Sequence, residues 1–490
     1  MDADDGQVAA SPASAGPVPE DAGPLGNTRL AGGARPADGT RPRPGELPRG
    51  PGRARDVVPL TGAIGSYGMW SAFLATTTSL FLADALHVTP FAIGLFFTVR
   101  GVAAIVINLV AGRISDRLPD RRLILAIAGA GGAGAGLCFA VLRDYPVVLA
   151  LGAMCYSVGS IAYSQLFAYT SELAQAADWA VTTFTSAMRS VFSASWVLGP
   201  PLGLFLLTRY GFGPLYLATA ALSLATGVLG QRGLRRIPAR PSPAAQAAAS
   251  GRGSGPGLPA RTWLLLGAVI VLSTVNQMYN IDVALYVTRD LHIGAQFVGW
   301  MAGLSAALEV PMTIVAGRLA ARVGKLRVTL AAAGGATVFF CLLPLATTAP
   351  TLLALQPLNA AWTAVALSIP MVMMQQEAPG GAGAASALYG SAFMAAVMFA
   401  GAITGVAATA VGYGNVFWAC AALSAGAGGL LLARTARPAL RPCLSDANCR
   451  GVLQQVTVLT HSAIARVPSS AITNKSWPSR LISAAIPRNR

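Results

Sequence analysis

Charge is scarce in this chain, and histidine is scarcer. Only 11% of the 490 residues are charged, and the three His stand at 87, 292 and 461. A soluble domain carries about 25% charged residues, so an ordinary water-soluble fold is excluded. The three His fall outside every long apolar run, which leaves membrane-embedded hydrolysis without a general base. Cys138, Cys155, Cys341 and Cys420 are scattered through apolar runs, and Cys443 and Cys449 lie near the C-terminus. No Cys-x-x-Cys or Cys/His cluster occurs, so no disulfide, metal or cofactor is expected. No glycine-rich nucleotide-binding loop is present, which excludes ATP as the direct energy source. Residues 1–56 contain no apolar core of the kind a cleavable signal peptide needs. Lysine stands only at 325 and 475 against 33 Arg, which points to a GC-rich bacterial genome.

Apolar sequence is abundant. The chain is 54% hydrophobic, with a mean hydropathy of +0.57. Runs long enough to span a bilayer lie near 60–83, 90–112, 122–142, 145–170, 180–208, 213–232, 262–287, 295–317, 326–346, 349–374, 382–410 and 414–434. A crossing takes about 20 residues, and backbone groups in lipid must be satisfied internally. The expectation is an all-α membrane protein of twelve transmembrane helices in two six-helix halves.

The net charge of +16 invites a nucleic-acid reading, and its distribution argues against one. Basic residues crowd before 57 and into 113–122, 232–261, 318–327 and 434–490, all on one side of a twelve-span chain. The other side has Arg143, Arg209 and Arg289 alone. The positive-inside rule then places both termini and the central link in the cytoplasm of a bacterial plasma membrane. The expected organisation is a disordered arm over 1–56, a six-helix bundle over 57–232, a linker over 233–261, a second bundle over 262–436 and an irregular tail over 437–490.

The halves share sequence. Leu80, Leu86, His87, Gly94, Val110, Ala111, Gly112 and Arg113 recur without a gap as Leu285, Leu291, His292, Gly299, Val315, Ala316, Gly317 and Arg318. Such a duplication makes a transporter built from parallel repeats, with its site near the midplane.

Two motifs carry mechanism. Gly112, Asp116 and Arg117 join spans 2 and 3 in GRISDRLPDRR, a pattern similar to the cytoplasmic signature of the major facilitator superfamily. There the glycine permits close helix approach, and the aspartate latches one conformation onto a neighbouring helix. Gly317 heads a degenerate second copy in which Ala321 replaces the acid. Gly199, Pro200, Pro201 and Gly203 in span 5 resemble the Gly-Pro motif of exporters. Proline kinks the helix and glycine packs it tightly.

Ionisable groups in a membrane are costly and mark function. Arg100 lies about 15 Å into span 2, and Arg189 lies at a similar depth in span 5. Glu309 is in span 8, and Asp282 is towards the outer end of span 7. Glu309, then Asp282, are the candidate proton carriers. Glu172 and Glu377 end spans 4 and 10. Asn276, Tyr279, Asn280 and Asp282 crowd span 7, and Gln356 and Asn359 share a face of span 10. With Tyr67, Trp70, Thr76 to Ser79, Tyr156, Tyr163 and Gln165 in spans 1 and 4, they suit a sugar. Amides and carboxylates bind hydroxyls, and aromatic rings stack on apolar sugar faces.

SLFLADALHVTPFAIGLFFT (79–98), SDRLPDRR (115–122), QLFAYTSELA (165–174), MRS (188–190), SWVLGPPLG (195–203), NQMYNID (276–282) and LEVPMTIVAG (308–317) together resemble the sugar efflux transporter family of the major facilitator superfamily. The similarity covers about residues 60–435. It implies proton-coupled export of small sugars, glycosides or sugar-containing antibiotics. Arg100, Arg189, Asn276, Asp282 and Glu309 fall at its matching positions. The expected partners are a small-molecule substrate, protons and the lipid bilayer, with no nucleic acid, and the protein is expected to act as a monomer. A multidrug exporter would want a more apolar, aromatic pocket, and a nutrient importer would differ only in direction. A membrane enzyme would show convergent His, Ser or paired acids. A receptor would show a soluble output domain.

Overall fold

The computed structural model describes residues 54–117, 122–177, 179–234, 259–377 and 381–436, with side chains undescribed at 54–56, 112–117, 182, 233, 381–387 and 436. The expectations for the N-terminal arm, most of the linker and the tail therefore lie outside the described residues. What is described is helical, with no strand among the described residues. This is the physical consequence of an apolar chain that must satisfy its own backbone in lipid.

The first half comprises α1 (Ala54–Leu80), α2 (Pro90–Arg117), α3 (Arg122–Val141), α4 (Ala153–Ala176), α5 (Val181–Tyr210) and α6 (Phe212–Val228). The second comprises α7 (Ala260–Leu285), α8 (Ala295–Val323), α9 (Lys325–Leu342), α10 (Gln356–Glu377), α11 (Gly381–Val411) and α12 (Tyr413–Ala436). Short helical turns at Tyr145–Val147, Val148–Gly152 and Ala349–Ala354 lead into α4 and α10. Eleven segments among the described residues have the length and hydropathy to cross a membrane. The remaining long helix is α1, at 27 residues. Val106, Leu109, Leu198, Phe205, Val310 and Ile314 are exposed apolar side chains, as helices in lipid allow.

The repeat is written into the backbone. A π-helical turn closes α1 at Phe81–Ala85, and another closes α7 at Tyr286–Asp290. Leu86 N donates to Phe81 O at 3.2 Å, and Leu291 N to Tyr286 O at 3.1 Å. Val88 N donates to Leu82 O at 3.2 Å, and Ile293 N to Val287 O at 2.9 Å. His87 and His292, both at φ 53°, are the positive-φ residues other than glycine among the described residues. Histidine tolerates the left-handed region better than branched side chains do, and here it ends the helix. The chain then turns back into the next helix at Pro90 and at Ala295.

The halves meet along two repeat-equivalent seams, α2 against α11 and α5 against α8. A Cβ on Gly94 would lie 2.3 Å from Gly405 Cα, and one on Gly101 would lie 2.7 Å from Met398 Cα. On the other seam, a Cβ on Gly299 would lie 2.9 Å from Pro200 O. Only glycine lets these backbones approach so closely. Gly94 and Gly299 are equivalent positions of the repeat, as are Pro200 and Gly405. Gly94, Gly299, Pro200 and Gly405 all lie nearer the end of the bundle that carries the His87 and His292 turns. These approaches bring the backbones of the two halves together towards that end.

Candidate functional site

The first half presents an aromatic wall. Spacing places Tyr156, Tyr163 and Phe167 along α4, Tyr67 and Trp70 along α1, and Phe192 and Trp196 along α5. The helices bring them into one ring network. Tyr67 lies 5.4 Å from Trp70, 6.2 Å from Tyr163 and 6.1 Å from Phe192, between ring centroids. Trp70 meets Tyr156 edge-on at 5.4 Å. Tyr163 reaches Phe167 at 4.9 Å and Phe192 at 5.4 Å, and Phe192 reaches Trp196 at 6.5 Å. Such pairs add to area burial through their quadrupoles. Polar handles fix the indoles: Trp70 Nε1 donates to Gly132 O at 3.2 Å, and Trp196 Nε1 donates to Ser71 Oγ at 3.1 Å.

Both intramembrane arginines join this wall. The Arg100 guanidinium lies 3.8 Å from the Tyr156 ring centroid, and that of Arg189 lies 5.9 Å from Phe167. Ser157 Oγ donates to Arg100 O at 3.0 Å, tying α4 to α2. Tyr389, on α11 of the second half, is within electrostatic reach of Tyr163 and Arg189. Tyr163 and Arg189 therefore lie near the second half.

The second half presents amides. Asn280 Nδ2 donates to Asn276 O at 3.0 Å and to Asn276 Oδ1 at 3.3 Å, on half-buried positions of α7. Gln356 and Asn359 are buried one turn apart on α10, where Asn359 Nδ2 donates to Gln356 Oε1 at 3.4 Å. The same Nδ2 donates to Ser305 Oγ of α8 at 3.0 Å. Asn359 Oδ1 is buried without a hydrogen-bond partner. Tyr279 hydrogen-bonds with Gln356, while its ring packs on Phe339, Phe340 and Phe417. Tyr279 thus supports the amide cluster from within the second half. Glu309 is half-buried one helical turn beyond Ser305 on α8, and its carbonyl accepts from Thr313 Oγ1 at 2.9 Å.

Asp282 stands elsewhere. It is fully buried, neither carboxylate oxygen has a hydrogen-bond partner, and it lies in electrostatic range of Tyr413 and Cys420 on α12. Its flank of α7 is not the one that carries Asn276 and Asn280. The Thr76, Thr77 and Thr78 hydroxyls turn back onto Ala72 O, Phe73 O and Leu74 O at 2.9, 2.7 and 2.6 Å. They complete their own helix and leave the site to the rings. Glu377 pairs with Arg434 of α12.

The motif residues divide. Gly112, Asp116 and Arg117 occupy the last turns of α2, and their side chains lie outside the described residues. A Cβ on Gly317 would meet nothing within 4 Å. The Gly-Pro motif is packed on two sides. A Cβ on Gly199 would lie 2.5 Å from Ala72 Cβ, and one on Gly203 3.0 Å from the Phe73 ring. Pro200 and Pro201 meet Gly299 and Gly303 of the other half, and Gln296 Nε2 donates to Pro201 O at 3.2 Å. The motif is thus part of the joint between the halves. Sequence reasoning missed Phe167, Phe192, Ser305 and Tyr389. The first two carried a signal, since each stands four residues from another aromatic, Tyr163 and Trp196. Ser305 and Tyr389 had none.

Known proteins show the same architecture. The Major Facilitator Superfamily profile matches residues 60–269 and again 264–465. The chain is 33% identical over 357 residues to sugar efflux transporter A of Escherichia coli, which covers 73% of this chain and 90% of that protein. It is also 33% identical over 353 residues to sugar efflux transporter B of Salmonella typhimurium, covering 72% and 88%. The crystal structure of the nucleoside transporter NupG superposes with a TM-score of 0.64 at 14% identity, over 79% of this chain and 100% of that one. An inward-facing, unoccupied bacterial homologue of the human lysosomal transporter Spinster gives 0.63 at 11%, over 78% and 96%. The chain, with its duplicated helical halves, belongs to the sugar efflux transporter family of the major facilitator superfamily.

Proposed function

We propose that this protein exports small sugars, glycosides or sugar-containing antibiotics across a bacterial plasma membrane, in exchange for protons, by alternating access. One observation carries the reading: the aromatic wall and the amide cluster lie on opposite halves of the bundle. A pyranose has apolar faces for rings such as Tyr67, Tyr163 and Phe192, and equatorial hydroxyls for Asn280, Gln356 and Asn359. The halves rock about the ligand, so each phase of the cycle is completed by contacts from both.

In this reading both termini and the Arg-rich ends of the helices are cytoplasmic, and the His87 and His292 turns face out. In this orientation the close approaches of Gly94 to Gly405 and of Gly299 to Pro200 belong to the outer end, so substrate enters from the cytoplasm. Glu309 is the leading proton carrier because it lies one turn from Ser305, to which Asn359 of the amide cluster donates. Asp282, buried against α12, is the second. The protein works as a monomer. Thermal unfolding of the purified protein, titrated with lactose or methyl β-D-glucoside, tests the site. A ligand at a hundred times its Kd adds about 2.7 kcal/mol to the folded state and raises Tm. Stabilisation by lipophilic cations and not by sugars would favour a multidrug exporter. The density of rings between Tyr67 and Trp196 makes that the second reading.

A further inference from the structure

Two guanidiniums stand in the aromatic wall, neither of them in an ion pair among the described residues. Neither Arg100 nor Arg189 makes an ion pair or a side-chain hydrogen bond among the described residues; each lies over a ring instead. Arg100 is half-buried, and its Nε is buried without a partner. Arg189 is exposed, on the face opposite Tyr389. Asp144 lies in the turn between α3 and α4, and Glu172, near the end of α4, has a partner of its own; the other described acids are engaged or placed elsewhere. Asp84 and Asp290 bond Arg289 and Gly414 N at the histidine-turn end. Asp282 is turned to α12, and Glu377 is paired with Arg434. Glu309 belongs to the second half and makes no ion pair among the described residues.

In an open, water-filled gap a guanidinium is solvated. Alternating access closes that gap and removes the water. An unpaired charge is then costly, whereas a charge paired with an anion in good geometry is tolerated. A neutral sugar offers only hydroxyls to these groups, and the aromatic wall offers no anion. We propose that the preferred substrate of this site is a sugar or glycoside bearing one anionic group, a carboxylate or a phosphate, with Arg100 as its receptor in the closed site. The proposal rests on the reading of the cleft as a sugar site and narrows it.

The two arginines divide the task. Tyr156 and Phe167, on which they lie, are eleven residues apart on α4, or about 16 Å along the axis. One small anion does not bridge them. Arg189 is nearer the Arg-rich end of the bundle and meets the anion first. Arg100, deeper and against Tyr156, holds it while the rings stack on the sugar. A guanidinium suits both carboxylate and phosphate through paired donors. Closure is then favourable only with the anion in place, which discourages the empty carrier from cycling.

The test is counterflow exchange by the purified full-length protein in proteoliposomes. The probes are methyl β-D-glucoside, methyl β-D-glucuronide, which differs from it only in a carboxylate at C6, and glucose 6-phosphate. We expect at least one anion to half-saturate about tenfold or more below the glucoside, a difference of 1.4 kcal/mol. The glucuronide and phosphate arms identify which anion it is. Arg100→Gln should collapse the ratio of anion to glucoside affinity, and Arg100→Lys should restore part of it. Arg189→Gln should slow entry of the anion and weaken its dependence on ionic strength. Exchange of the glucoside as readily as both anions, or an unchanged ratio in Arg100→Gln, overturns the proposal and leaves the sugar reading standing. Exchange of none of the three removes both. If Arg100→Gln fails to fold, the wild-type ratio and the Arg100→Lys variant still decide.

Discussion

Asp84 and Arg289 are ion-paired at 2.8 Å, and they occupy the same position of the two repeats, 205 residues apart. Each is the fourth residue of its π-helical turn. Equivalent residues touch each other only beside the axis that relates the halves, so this pair marks where that axis leaves the bundle. Arg289 also donates to Ala83 O at 2.8 Å. The side chains are 38% and 45% exposed, and such a pair contributes about 0–1 kcal/mol. A bond that weak suits a closure broken in every cycle.

The symmetry makes a specific prediction. Asp84→Arg or Arg289→Asp alone places like charges face to face and should slow export several-fold by holding the outer end open. The double exchange rebuilds the same pair across the axis and should recover most of the rate. Labelling of a single cysteine introduced near this end should rise in each single variant and fall back in the double. A double variant as impaired as either single would deny the pair its gating role.

The seam predicts a stability asymmetry among glycines. Gly94→Ala puts a methyl 2.3 Å from Gly405 Cα, a backbone atom that cannot turn aside. It should cost about 1–3 kcal/mol and lower Tm in detergent. Gly426→Ala, with nothing within 4 Å of its Cβ, should leave Tm unchanged or slightly raised, because Ala outranks Gly in a helix. Equal effects would mean that the halves are not joined as tightly as their backbones imply.

Coupling is read at Glu309. Glu309→Gln keeps size and polarity and removes the titratable proton. Gradient-driven transport should be lost while substrate exchange at equal pH persists. If the variant still concentrates substrate against a gradient, Glu309 carries no proton, and the same assay moves to Asp282→Asn.

Recognition is read at Asn359 and Asn280. Asn359→Ala leaves Ser305 Oγ without its donor and removes an amide of the proposed sugar site. Loss of a buried hydrogen bond costs about 1–3 kcal/mol. Sugar affinity should therefore fall about tenfold or more, with little change for an apolar ligand. Asn280→Ala should act in the same sense. The reverse pattern in a binding titration would favour the multidrug reading.

The architecture was readable because lipid leaves so few solutions. Apolar runs of bilayer length had to be helices, and the recurrence of residues 80–113 announced the repeat that the His87 and His292 turns then displayed. Individual side-chain directions were less readable. Asp282 shares a polar cluster with Asn276 in sequence, yet at 3.6 residues per turn it stands about 120° round the helix from it, against α12. Thr76, Thr77 and Thr78 read as ligand hydroxyls, but a threonine in a buried helix readily bonds the carbonyl one turn back. Tyr389 and the Asp84–Arg289 pair depend on which helices meet across the halves, and Ser305 depends on how α8 packs against α10 within the second half. A single helical period carries no such information.

The central claim is that the two halves carry sugar outward at the expense of a proton gradient. Everted membrane vesicles containing the protein, energised so that their interior is acid, test it most directly with labelled lactose, methyl β-D-glucoside and methyl β-D-glucuronide. The account predicts accumulation of at least one of these inside the vesicles, abolished by a protonophore and by Glu309→Gln. Accumulation of none of them, or accumulation indifferent to the proton gradient, would contradict it.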